Sequence, residues 1–159
     1  MLNIIIPSIG KILVERNWTM STAESCTGGL VAATLTDFSG SSAWFSGAVV
    51  AYSNEIKNSL LHVPEEELIE HGAVSEPVVK AMAKGVCDAL NTEVGISLSG
   101  IAGPTGGTSD KPVGTVWMGW QVNGKNYAEK LVFSGDRKSV KDQSLQTVLE
   151  KLLKILQEN

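Results

Sequence analysis

Cysteine and histidine are scarce, with two of each in 159 residues. Cys26, Cys87, His62 and His71 fall into no CxxC or HExxH spacing, so no metal site is expected and no cofactor is called for. Basic residues are outnumbered, 13 Lys and Arg against 17 Asp and Glu, for a net charge of −4. No basic cluster is longer than a dipeptide, which excludes the electrostatic footprint of a nucleic-acid binder. Long apolar runs are also missing. The opening "MLNIIIPSIG" gives about one helical turn before Pro7 and carries no basic flank, so it reads as neither signal peptide nor membrane span. A cytoplasmic protein with no membrane partner is expected.

What remains is an ordinary globular mixture, 43% apolar and 19% charged. It is enough for one domain over residues 1–159 with a real core. Apolar spacing predicts a helix between Pro7 and Asn17, a strand over "WTMSTAE", and a helix opened by the glycines of "GGLVAATLTDF". A second strand covers residues 46 to 54, after which Asn54 is expected to cap the helix "NEIKNSLL". A short helix "PEEELIEHG" and a longer one from Ser75 to Asn91 precede the third strand, "EVGISLSG". The final hairpin turns at Asn123-Gly124, a favoured tight-turn dipeptide, and an amphipathic helix closes the chain.

Strands alternating with helices require parallel neighbours, and the hairpin adds antiparallel pairing. The expected fold is therefore α/β, a three-layer α/β/α sandwich on a mixed, mostly parallel five-stranded sheet. Ligands of such sheets bind at the carboxyl ends of the strands.

The stretch "TAESCTGG" lies where the first strand ends. Its plain reading is a capped helix start with a glycine turn. A chemical reading needs a base, because a serine hydroxyl is a weak nucleophile until its proton is removed. Lys57 is the best candidate, since the start of the helix after strand two meets the end of strand one if the two strands are parallel neighbours. Burial and a positive helix end would both lower its proton affinity. The plain alternative for Lys57 is a solvated lysine paired with a carboxylate. Tyr52, at the end of strand two, either relays a proton or packs.

Ser42 is the rival nucleophile or a substrate ligand. It precedes strand two and belongs at the opposite edge, unless the loop folds back or a neighbouring subunit supplies it; the sequence is compatible with such a homo-oligomer. Cys26 with Lys57 and Glu24 would imitate a thiol amidase triad but ranks below Ser25, because Cys26 is expected to enter the helix while Glu24 and Ser25 point to opposite sides of an extended chain. Thr27, Gly28 and Gly29 offer backbone amides to a developing oxyanion. In the long loop "IAGPTGGTSDKPVG", glycines such as Gly103 and Gly106 would let the backbone approach a ligand. Arg137 either pairs with Asp136 or holds a phosphate.

Taken in order, "TAESCTGGLVA", "GSSAWFSGAVVAYSNEIK", "HGAVSEPVV", "SGIAGPTGGTSDKPVGTVW" and "FSGDR" resemble the CinA C-terminal domain family over about residues 20 to 140. The resemblance implies the same three-layer fold and a small-molecule nucleotide substrate. The implied reaction is metal-free hydrolysis of the carboxamide of nicotinamide mononucleotide to ammonia and nicotinate mononucleotide, by a serine and a lysine, within pyridine nucleotide recycling. Ser25, Thr27, Ser42, Tyr52, Asn54, Lys57, Thr105 and Arg137 fall on the family's motif positions. The competing class is a non-catalytic nucleotide-binding or regulatory module on the same fold.

Overall fold

The computed structural model describes residues 1–159. In chain order the elements are α1 (Leu2–Arg16), β1 (Met20–Glu24), α2 (Leu30–Thr36), β2 (Phe45–Val50), α3 (Asn54–Leu61), α4 (Glu65–His71), α5 (Glu76–Leu90), β3 (Val94–Gly100), β4 (Thr115–Val122), β5 (Lys125–Val132) and α6 (Arg137–Glu158). The five strands form one sheet in the order β2-β1-β3-β4-β5. β1 pairs in parallel with both β2 and β3, and β4 and β5 add antiparallel pairs. Only β4 runs against the other four strands, so this is the mixed, mostly parallel α/β sheet expected.

Two apolar clusters cover the two faces, because alternate residues of each strand point to opposite sides. On one face, Ile6, Ile9 and Leu13 of α1, Val31 and Leu35 of α2, and Val148, Leu149 and Leu152 of α6 pack against Met20, Ile96, Leu98 and Met118. On the other, Leu61 of α3, Leu68 of α4 and Val78, Met82 and Val86 of α5 surround Ala23. α5 lies close to the sheet because the strands beneath it carry glycine. A Cβ on Gly95 would come within 2.6 Å of Ala83 O, and one on Gly119 within 2.5 Å of Val79 O.

The structure moves three predicted boundaries. The first helix begins at Leu2, five residues before Pro7, and keeps Pro7 inside it. Burial of Ile5, Ile6 and Ile9 on one helical face outweighs the single backbone bond that proline removes. The second strand ends at Val50, and Ser53, not Asn54, caps α3, its Oγ accepting the Ile56 N–H at 3.2 Å. The glycines do not open α2: Gly28 (φ 61°) and Gly29 (φ 100°) form a left-handed turn ahead of Leu30, a conformation that glycine adopts without steric penalty. α6 starts as read from the sequence, with Asp136 Oδ1 accepting the Ser139 N–H at 2.8 Å.

Candidate active site

The parallel pairing of β1 with β2 brings their carboxyl ends to one edge, and the helix that follows β2 begins there. Lys57, in the first turns of α3, thereby reaches Ser25, the residue after β1. Lys57 Nζ lies 2.9 Å from Ser25 Oγ and donates to Tyr52 O at 3.1 Å. Both residues are buried, Lys57 with 1% of its surface exposed. No carboxylate forms an ion pair with Lys57. Burial lowers its pKa from the ordinary lysine value of 10.5. A neutral amine here would accept the Ser25 proton and still donate to the Tyr52 carbonyl, the arrangement a general base requires.

Ser25 and Lys57 open into a cavity of about 370 Å³, also lined by Tyr52, Asn54, Gly103, Thr105, Gly106 and Arg137. Its lining holds two basic side chains, Lys57 and Arg137, and no carboxylate. An anionic ligand is therefore favoured over a cationic one. Arg137 Nη1 donates to Gly103 O at 2.7 Å, which ties the start of α6 to the glycine-rich loop. Its Nη2 donates to Tyr52 Oη at 3.3 Å. No group of three or more His, Cys, Asp or Glu side chains is placed to hold a metal ion, and no helix is long and apolar enough to cross a membrane.

Four of the residues picked from the sequence lie away from this cavity. Ser42 is exposed in a short 3₁₀ turn before β2. The six residues of β2 put it about 20 Å, at about 3.3 Å per residue, from the edge where Lys57 lies. Within one chain the loop does not fold back. Thr27 is buried and turned the other way, donating from Oγ1 to Glu24 Oε1 at 2.7 Å. Gly28 and Gly29 form the turn, and the Gly28 amide is already committed to Ser25 O at 3.1 Å. The amides of Cys26 and Thr27 donate to no backbone carbonyl. Of the two, only Cys26 lines the cavity, its N–H turned to its own thiol, while Thr27 lies away from it. Tyr52 touches Lys57 through its carbonyl, while its phenol accepts from Arg137.

Glu24 is the anchor beneath the site. Fully buried, it accepts from Thr22 Oγ1 (3.0 Å), Thr27 Oγ1 (2.7 Å), Val31 N (2.9 Å) and Ala32 N (2.9 Å). Its carboxylate thus satisfies two of the amides that the start of α2 would otherwise leave unpaired. Cys26 lines the cavity beside Ser25, but burial above all pushes its thiol up to about 11. At neutral pH it carries only about one thiolate in 10⁴ molecules. Cys26→Ala should retain activity within about threefold, as a substitution away from the reacting groups does, and iodoacetamide at pH 7 should inactivate the protein only slowly. Rapid, stoichiometric inactivation would restore Cys26 as a nucleophile. The sequence reading passed over Ser99, Ala73 and Val74, which also line the cavity. Ser99 could have been found by aligning "TAES" with "SLS" as parallel strands.

The model of the CinA C-terminal domain matches residues 4–156. A protein of Enterobacter agglomerans named nicotinamide-nucleotide amidohydrolase PncC is 50% identical over 151 residues, covering 92% of each chain. The protein of the same name from Escherichia coli K12 is 49% identical over 145 residues, or 91% of this chain and 88% of that one. Among solved structures, the CinA superfamily protein of Klebsiella pneumoniae 700603 superposes with a TM-score of 0.93 at 35% identity, over 98% of this chain and 97% of that one. A competence/damage inducible protein of Agrobacterium tumefaciens gives 0.92 at 34%, over 96% and 93%.

Proposed function

Because the chain belongs to the CinA C-terminal domain family, we propose that it is a nicotinamide-nucleotide amidohydrolase, converting nicotinamide mononucleotide to nicotinate mononucleotide and ammonia in pyridine nucleotide recycling. The relatives supply the substrate. The observation that carries the chemistry is a buried lysine with no carboxylate partner, 2.9 Å from a serine hydroxyl, in a cavity lined by basic side chains and no carboxylate.

In this reading neutral Lys57 takes the proton of Ser25 as Oγ attacks the carboxamide carbon. The oxygen of the tetrahedral intermediate lies against the backbone amide of Cys26, which lines the cavity and donates to no carbonyl. The C–N bond then breaks, Lys57 returns the proton to the nitrogen, and ammonia leaves. Water attacks the Ser25 ester as Lys57 takes its proton; the C–Oγ bond then breaks, Lys57 returns that proton to Ser25 Oγ, and the product acid leaves as the carboxylate, its own proton passing to solvent. Arg137, oriented by Gly103 O, holds the 5′-phosphate, so that binding energy remote from the reacting carbon positions the carboxamide. Tyr52 closes the same end of the cavity, and Asn54, Thr105 and Gly106 bound the ribose.

The experiment is ammonia release from nicotinamide mononucleotide and from nicotinamide riboside, which lacks the phosphate. Wild type should deamidate the nucleotide and treat the riboside poorly. Arg137→Ala should lower kcat/KM for the nucleotide by about 10- to 100-fold, the value of one charge-assisted bond of about 1.5–3 kcal/mol, and leave the riboside rate nearly unchanged. No ammonia from the wild type would reject the amidohydrolase and favour a non-catalytic nucleotide-binding module.

A further inference from the structure

One polar group in the cavity is idle in the mechanism above. Ser99, on β3, is 1% exposed and lines the cavity. The side chain two residues earlier on the same face, Ser97, donates to Val79 O of α5 at 2.6 Å. Ser99 lies beyond the start of that helix, where there is no helical carbonyl to meet it, and its hydroxyl turns to the cavity. Glu24 pairs with Leu98, and Ser25 N donates to Leu98 O at 3.0 Å, continuing the parallel ladder one step past β1. Ser25 and Ser99 are therefore lateral neighbours on one face, about 4.8 Å apart at the backbone.

The strand order makes this placement chemically specific. β1 lies between β2 and β3, so Lys57 approaches Ser25 from the β2 side and Ser99 flanks it on the β3 side. Lys57 must hand its proton to the departing nitrogen, which puts the carboxamide NH2 toward β2. The carboxamide oxygen then points toward β3. Building on the amidohydrolase reading, we propose that Ser99 is a catalytic residue, its hydroxyl donating a hydrogen bond to the carboxamide oxygen as that oxygen becomes an oxyanion. The hydroxyl keeps its proton throughout. It joins the Cys26 amide as a side-chain donor on the side of Ser25 away from the base.

A donor aimed at the developing charge acts on the transition state more than on bound substrate. Ser99→Ala should therefore reduce kcat for nicotinamide mononucleotide by about 100-fold, as loss of an oxyanion donor does, with KM within about threefold of wild type. The melting temperature should not move, because the hydroxyl bonds no protein group. A loss carried by KM, or a kcat within threefold of wild type, would overturn the role of Ser99 while leaving the amidohydrolase standing. A wild type that releases no ammonia would instead remove the reading on which the role depends.

Discussion

Lys57→Met should lower kcat/KM for nicotinamide mononucleotide by about 10³- to 10⁴-fold, the upper range for loss of a general base, without destabilising the fold. Methionine fills a similar volume and removes a buried basic group that has no carboxylate partner, so the melting temperature should stay level or rise. Ser25→Ala should be as severe, and the double variant should be no worse than about threefold below the lower single, because the two groups act as a unit. An additive double loss would separate Lys57 from Ser25. The pH dependence follows from burial. With the pKa lowered from 10.5, the acid limb of kcat/KM should rise with pH and level off below the ordinary lysine range. The same shift has a consequence for stability. Between the lowered folded value and 10.5 the unfolded chain binds more protons, so stability rises with pH through that window. The stability gap between Lys57→Met and wild type should narrow there.

Glu24→Ala should be the most destabilising single change near the site. It strands two amides of α2 and two hydroxyls that now share one buried carboxylate. Each unsatisfied group costs about 1–3 kcal/mol, and partial relaxation leaves a total of about 3–5 kcal/mol. The corresponding fall in melting temperature is on the order of 10 °C for a domain of this size. Glu24→Gln keeps the shape but turns an NH2 toward donors, so it too should destabilise, though less. Circular dichroism melting checks both. A Glu24→Ala protein that melts within a degree of wild type would mean the carboxylate is not what orders the turn.

Much of this was legible in the sequence because it follows from short-range rules. Asn123-Gly124 sits at the hairpin turn with both residues at positive φ. The meeting of Ser25 with Lys57 could be argued because adjacent parallel strands end at the same edge. Other features depend on choices that the local sequence leaves nearly balanced. Ser53 and Asn54 are both competent caps one residue apart, and only the end of β2 decides between them. The direction of the Tyr52 phenol is set by Arg137, 85 residues away. Ser99 needed the strand order as well as the strand: its place beside Ser25 exists only because β3 is the other neighbour of β1.

Glu24 and Ser25 are consecutive, yet one holds the frame and the other meets Lys57 in the cavity. The two-residue period of β1 works as an electrical partition: the carboxylate is assigned to the α2 face and the hydroxyl to the α5 face. The sheet itself insulates Lys57 from the nearest buried anion. A one-residue slip in the phase of β1 would exchange the two, putting a carboxylate against the lysine. That lysine would then hold its proton firmly and be no use as a base, and the turn at α2 would lose its anchor in the same step. The Ser25–Lys57 contact and the local fold are thus governed by one register, and a chain that mispairs this strand forfeits both together.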